Sequence, residues 1–136
     1  MKPAVIDASV LTAFYCTPEA TAAVSTRLVG GDTFYAPAHF DVEIVSAMRR
    51  LAKTNATVDA LVPEALGHLA AFPLRRMPLA PLLQRVWQLR ENLTPYDAAY
   101  VALAETLEAP VVTFDARLTR AAGTRCSFEL LSSPSS

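Results

Sequence analysis

Hydrophobic residues recur along much of this chain with the period of an α-helix. After Pro37, the residues Phe40, Ile44, Met48 and Leu51 lie three or four positions apart and therefore share one helix face. Prolines and glycines mark where such patterns begin and end. The predicted helices cover residues 9–29 with an interruption at Pro18, 37–54, 58–71, 81–91 and 95–107, and a short helix follows Asp115.

Short apolar runs alternate with these helices. The predicted strands cover residues 4–6, 33–36, 74–79, 111–114 and 126–131. Alternating strands and helices favour a mainly parallel central sheet flanked by helices. We therefore predict a three-layer α/β fold in a single domain, residues 1–131, followed by a disordered serine-rich tail at 132–136.

The composition agrees with one globular domain. Apolar residues make up 52% of the 136 residues and charged residues 18%, which excludes a disordered chain and leaves too few residues for two ordinary domains. The longest stretch without a formal charge, 8–18, is too short to cross a bilayer. Asp7 interrupts the apolar run that a secretory signal would need, so we expect a cytoplasmic protein without a membrane partner.

The net charge and the cysteines exclude few functions. Twelve basic residues against 13 acidic ones exclude a strongly basic, histone-like binder but not an enzyme that acts on nucleic acid. Cys16 and Cys126 are far apart and form no metal-spaced pair. We interpret them as buried thiols of a reducing compartment, with a single disulfide as the alternative.

Acidic residues stand where chemistry is expected in such a fold. Asp7 and Asp115 each follow a short apolar strand, and sites in parallel sheets form beyond the carboxyl ends of the strands. Glu43 and Asp97 lie near the starts of two predicted helices. Asp41, two residues before Glu43, is the other acid near that position.

Each of these acids also has a structural interpretation. Asp7 and Asp115 can cap the helices that follow them, and Asp97 can complete a capping box with Thr94. Glu43 can be a solvated helix acid, although Ser46 and Ala47, three and four positions later, offer it no local ion pair. A cap and a site are compatible, because helix N-termini favour anions.

If the four acids converge, their charges demand compensation. Two carboxylates about 4 Å apart repel by roughly 4 kcal/mol at an effective dielectric constant of 20. Four of them need a cation or raised pKa values. Ligation by oxygen alone suits Mg²⁺ or Mn²⁺ rather than Zn²⁺, and such a site would bind phosphate oxygens and activate water.

Four short segments follow one another in order along the chain: Val5-Ile6-Asp7-Ala8-Ser9, then Glu43 after Pro37, then Thr94-Pro95-Tyr96-Asp97-Ala98-Ala99-Tyr100, then Val112-Thr113-Phe114-Asp115. In this order they resemble the PIN-domain family, and within it the VapC-type toxins of bacterial toxin–antitoxin pairs. The resemblance covers essentially the whole chain.

The resemblance implies an endoribonuclease that depends on one or two Mg²⁺ or Mn²⁺ ions and is neutralised by a VapB-like antitoxin. It further implies a homodimer with a PIN-like fold. Asp7, Asp97 and Asp115 would be metal ligands, and Glu43 a ligand or a water-orienting residue. The two supporting residues would be Ser9 and Thr113.

Other residues leave alternatives open. Arg49, Arg50 and Lys53 cluster near the end of one predicted helix, where they can interact with the helix dipole or contact an RNA backbone. We expect His39 and His68, the only histidines, to be packed or surface residues on different helices rather than a catalytic pair. The alternative function is a catalytically silent α/β module that binds a protein partner and uses its acids only as helix caps.

Overall fold

A computed structural model describes residues 1–132 of the chain. Within these residues, five parallel strands form one sheet in the order β3-β2-β1-β4-β5. The strands are β1 (Pro3–Ile6), β2 (Thr33–Pro37), β3 (Arg75–Met77), β4 (Val111–Thr113) and β5 (Phe128–Leu130). The predicted parallel α/β architecture is confirmed.

Helices connect the strands and cover the sheet. They are α1 (Ala8–Cys16), α2 (Thr21–Leu28), α3 (Phe40–Ala52), α4 (Ala56–Ala71), α5 (Leu83–Gln88), α6 (Pro95–Leu107) and α7 (Ala116–Thr119), with short 3-10 helices at Pro18–Ala20 and Ala80–Leu82. Helix α3 packs against both α1 and α4, whereas α6 packs on β1 and β2 and also contacts α5. Among residues 1–132, no helix is both long and apolar enough to span a membrane.

The centre of the sheet determines where the site forms. Val5 pairs with Val111 and Ile6 with Val112, and all four side chains are fully buried. The next residue, Asp7, donates its backbone N–H to the carbonyl of Val112 at 3.1 Å. The carboxyl ends of β1 and β4 therefore lie side by side, as the acids that follow both strands predicted.

Helix α6 is held close to this centre by its small side chains. Every residue from Ala98 to Ala104 is buried, and Tyr100 is the largest side chain in the core. Four of these seven residues are alanines, which let the helix backbone approach the sheet. The first turn of α6, which carries Asp97, is thereby brought close to the carboxyl ends of the strands.

Several boundaries differ from the predicted ones for local reasons. Pro37 ends β2 instead of opening α3, because it pairs with Met77 of β3 and the next N–H, of Ala38, donates to the Met77 carbonyl at 2.8 Å. The predicted helix 81–91 is a 3-10 turn followed by the six-residue α5. Cys16 and Cys126 are free thiols, and both are half-buried rather than fully buried. The tail predicted at 132–136 lies outside the described residues from position 133 onward.

Candidate active site

The four predicted acids line a single cavity of about 340 Å³ at the carboxyl edge of the sheet. Asp7 follows β1, Glu43 lies on α3, Asp97 on the first turn of α6, and Asp115 after β4. The other residues lining the cavity are Ala8, Ser9, Thr12, Ser46, Ala47, Arg50 and Tyr100. Residues separated by more than 100 positions in sequence thus share one site.

Asp7 is the most buried of the four acids, with 6% of its surface exposed. It caps α1 by accepting a hydrogen bond from the Ser9 backbone N–H at 3.0 Å, and it also accepts bonds from the hydroxyls of Ser9 at 2.5 Å and Thr113 at 2.6 Å. Burial nevertheless raises the Asp7 pKa from 3.8 to about 6, because desolvation outweighs these hydrogen bonds.

The two predicted supporting residues connect the ends of the central strands. The Ser9 hydroxyl accepts from the backbone N–H of Phe114 at 3.0 Å, and the Thr113 hydroxyl accepts from that of Asp115 at 2.9 Å. Both hydroxyls donate to Asp7. They therefore fix the Asp7 carboxylate to the strand end from which Asp115 projects.

The carboxylates of Asp97 and Asp115 are held by fewer hydrogen bonds than that of Asp7. The Thr94 hydroxyl caps α6 by accepting from the Asp97 N–H at 3.2 Å, as predicted. Burial raises the Asp97 pKa, and the negative charges of Glu43 and Asp115 raise it further. Asp115 caps α7 through the Arg117 N–H at 2.9 Å, and the exposed Arg117 guanidinium lies 3.5 Å from its carboxylate. The caps from Thr94 and Asp115 thus coexist with the shared cavity.

The two acids near the start of α3 have different environments. Asp41 forms a paired contact with Arg76, which donates from Nε at 3.0 Å and from Nη2 at 3.1 Å. The same guanidinium also donates to the backbone carbonyls of Leu69 and Phe72. Asp41 therefore joins α3 to the end of α4, while Glu43 lines the cavity.

Glu43 is held by two side chains that sequence reasoning missed. Tyr100 donates its hydroxyl to Glu43 Oε1 at 2.5 Å, and His39 Nε2 lies 3.2 Å from the same oxygen. Burial by itself raises the Glu43 pKa, but the contacts with His39 and Tyr100 outweigh it, so the pKa is lowered. The expectation that Glu43 lacks a local ion pair is wrong, because His39 precedes it by four residues. The spacing of four residues between His39 and Glu43 was the signal in the sequence that could have predicted this contact.

The two histidines do not form a catalytic pair. His39 adjoins the acidic cavity through Glu43, whereas His68 accepts or donates a 2.6 Å hydrogen bond with the Tyr15 hydroxyl. The latter pair lines a separate pocket between α1 and α4, together with Phe14. The prediction that the histidines occupy different surroundings is confirmed, although His39 touches a site residue.

The predicted basic cluster divides between two surfaces. Arg50 borders the acidic cavity, seven residues after Glu43 on the same face of α3. Arg49 and Lys53 border a different groove, which also contains Asp59 of α4. Only Arg50 of the three is therefore adjacent to the four acids.

The donor set of the cavity suits a hard divalent cation. It offers four carboxylates, and oxygen ligands are those that Mg²⁺ and Mn²⁺ prefer. Within residues 1–132, no group of three or more histidine, cysteine, aspartate or glutamate side chains is already arranged to hold a metal ion. The oxygen donors that line the cavity nevertheless fit such an ion chemically.

The chain is similar to known proteins both in sequence and in fold. A family described as "PIN domain" matches residues 4–124. Ribonuclease VapC12 of Mycobacterium tuberculosis is 42% identical over 127 residues, 93% of this chain and 98% of that protein. The crystal structure of M. tuberculosis VapC20, described as a sarcin-ricin loop cleaving toxin, has a TM-score of 0.67 at 14% identity, covering 90% of this chain and 96% of that one. VapBC2 from Rickettsia felis, solved with a DNA fragment from its promoter, has a TM-score of 0.64 at 10% identity, covering 96% and 99% of the two chains.

Proposed function

Because the chain belongs to the PIN-domain family, we propose that it is an endoribonuclease toxin of the VapC type that depends on Mg²⁺ or Mn²⁺. The observation that carries the proposal is the convergence of Asp7, Glu43, Asp97 and Asp115, from four separate elements, on one cavity. The 42% identity with a ribonuclease over almost the full length of both chains supports the reaction class.

Each acid has a proposed role in hydrolysis of an RNA phosphodiester bond. Asp7, Asp97 and Asp115 are the proposed ligands of one or two ions, and Ser9 and Thr113 hold Asp7 in place. The ion supplies charge stabilisation at the phosphate and activation of the attacking water. Because burial and neighbouring charges raise the pKa values of Asp7 and Asp97, a cation in this cavity favours their ionised forms.

Glu43 is suited to orient the attacking water. Its pKa is lowered, so it is ionised at neutral pH and accepts hydrogen bonds. Oε1 is engaged by His39 and Tyr100, which leaves Oε2 to accept a hydrogen from water. The Arg50 side chain on the same wall offers a positive charge to a phosphate of the RNA backbone.

The proposed partners follow from the same assignment. An RNA substrate is the partner of the active site, and a VapB-like antitoxin is the proposed inhibitor. The VapBC2 assembly, whose fold this chain shares, supports a partner of that kind. We also propose a homodimer and a cytoplasmic location, where such an enzyme meets cellular RNA.

A silent binding module remains the second candidate, because Asp7 and Asp115 do cap α1 and α7. Capping does not account for Glu43, and among the described residues no hydrogen bond from the Thr94 N–H to the Asp97 carboxylate completes the predicted capping box. Nor does it account for placing Asp7 where ionisation is disfavoured. The nuclease therefore explains all four positions, and the module explains two.

Cleavage of total cellular RNA by the purified protein tests the proposal. We expect cleavage with Mg²⁺ or Mn²⁺, none with EDTA, and none with Asp97→Asn. The control Asp59→Asn makes the same chemical change at an exposed position on α4 and should cleave normally. Folded, antitoxin-free wild type that leaves RNA intact under all metal conditions would favour the silent module instead.

A further inference from the structure

One imidazole nitrogen connects the helix of Glu43 with the helix of Asp97. His39, at the N-cap of α3, has its Nε2 3.2 Å from Glu43 Oε1 and 3.0 Å from the backbone carbonyl oxygen of Tyr96. Both partners are hydrogen-bond acceptors, so Nε2 must carry the hydrogen. Tyr96 directly precedes Asp97 in the first turn of α6.

The other ring nitrogen is consistent with that tautomer. His39 Nδ1 is buried and has no hydrogen-bond partner among the described residues. The Nε2 hydrogen is present both in this tautomer of the neutral ring and in the imidazolium, so its contact with Glu43 does not depend on the charge of His39. The ring is held by packing as well, with its centroid 5.1 Å from that of Tyr100.

A second contact joins the same two helices. Tyr100, one turn after Tyr96 on α6, donates to the same Glu43 oxygen at 2.5 Å. Tyr100 is 1% exposed, so its hydroxyl is a rigid anchor, whereas 29% of the Glu43 side chain is exposed. Without these donors the Glu43 carboxylate is able to rotate toward solvent, which its repulsion with Asp97 favours.

We propose that His39 is a positioning residue that fixes the Glu43 carboxylate relative to the start of α6, and so to Asp97, by sharing its Nε2 hydrogen between Glu43 and the Tyr96 carbonyl. The inference rests on the proposed nuclease function for its catalytic consequence. It does not make His39 a proton donor or acceptor in the reaction. The role requires a hydrogen-bond donor at this position and acts only through Glu43.

Two substitutions at position 39 distinguish the effect of the hydrogen-bond donor from the effect of the space that the imidazole fills. His39→Leu fills similar space without a donor, and His39→Gln places an amide N–H near Nε2. We expect His39→Leu to lower kcat about 10- to 100-fold with KM nearly unchanged, the range for losing a residue that orients a functional side chain at a metal site. We expect His39→Gln to restore most of that loss. Equal activity in the two variants, or wild-type kcat in His39→Leu, would overturn the proposal.

A double substitution tests whether His39 acts through Glu43. Starting from Glu43→Gln, whose residual cleavage is the reference, the additional change His39→Leu should lower kcat no further. A full additional loss would show that His39 acts by another route. Circular dichroism and urea unfolding establish that each variant is folded before its rate is interpreted.

The contacts from His39 and Tyr100 hold the Glu43 carboxylate as a clamp. NMR tests this clamp without RNA or metal. Long-range ¹H–¹⁵N NMR of the metal-free protein should show a hydrogen on His39 Nε2, and the Nε2 resonance should shift in Glu43→Gln and in Tyr100→Phe. A His39 ring protonated only on Nδ1, or a resonance insensitive to Glu43→Gln, would refute the clamp. If wild type fails to cleave RNA but the NMR result is as expected, the proposed function fails and the clamp stands.

Discussion

Replacing Asp7 by asparagine should stabilise the metal-free protein while abolishing its activity. Asp7 is buried, and its pKa is raised from 3.8 to about 6. Between those two values the folded chain binds a proton that the unfolded chain has released. The free energy of unfolding therefore decreases as the pH rises through this range and levels off above pH 6.

The size of the effect follows from the two pKa values. At ~1.36 kcal/mol for each pH unit, the difference between 3.8 and about 6 corresponds to ~3 kcal/mol lost by neutral pH. Asparagine carries no charge and avoids this loss. Its amide must, however, donate where Asp7 Oδ2 now accepts from Thr113, and the hydroxyl must turn to accept. Losing one good hydrogen bond costs about 1 kcal/mol, which leaves a gain of about 2 kcal/mol for Asp7→Asn at pH 7.5.

Urea unfolding of EDTA-treated protein measures this gain. Wild type and Asp7→Asn are compared at pH 4 and at pH 7.5, with Glu91→Gln, an exposed position, as the control for the change in net charge. The advantage of Asp7→Asn should be present at pH 7.5 and absent at pH 4. If the variant is less stable than wild type at pH 7.5, or if both show the same pH dependence, the desolvation argument is refuted.

Three further predictions concern the site. Glu43→Gln should lower RNA cleavage by at least about 100-fold. Asp41→Asn, on the same helix, should cleave RNA normally. It should lower the free energy of unfolding in urea by about 1 kcal/mol, because it weakens a partly exposed ion pair with Arg76. Mg²⁺ at 100 times its Kd should stabilise wild type by ~2.7 kcal/mol. In thermal unfolding, Mg²⁺ should raise the Tm of Asp97→Asn less than that of wild type. Equal increases in Tm would exclude Asp97 as a metal ligand. Arg50→Gln should raise KM for RNA and reduce its salt dependence more than Arg49→Gln, since Arg50 borders the cavity; equal effects would indicate a diffuse basic surface.

The strand pattern was sufficient to predict the sheet and two of the acids. Parallel strands end at one edge, so the acids after Val5-Ile6 and after Val111-Phe114 had to be near each other if the strands were neighbours. What the pattern could not supply was the rotation of α3 about its axis. Asp41 and Glu43 point in very different directions from one helix, and tertiary packing alone decides which of them faces the cavity.

Some of the remaining details had signals in the sequence, and others did not. Glu43, Ser46, Ala47 and Arg50 follow helical spacing, so the separation of Arg50 from Arg49 was open to prediction once Glu43 was chosen. His39 was open to prediction from its spacing to Glu43. The contact between His39 and the Tyr96 carbonyl had no such signal, because it joins helices that are distant in sequence and depends on how α3 and α6 pack.

The pairing of β1 with β4 has a consequence for the synthesis of the protein on the ribosome. Asp7 is synthesised more than 100 residues before Thr113, whose hydroxyl donates a hydrogen bond to it. At roughly 5–20 residues per second, this interval lasts about 5–20 seconds. A nascent chain that has not reached Asp97 therefore lacks two of the four acids of the cavity, and the proposed nuclease could not act on RNA near its own ribosome until Asp115 has been synthesised.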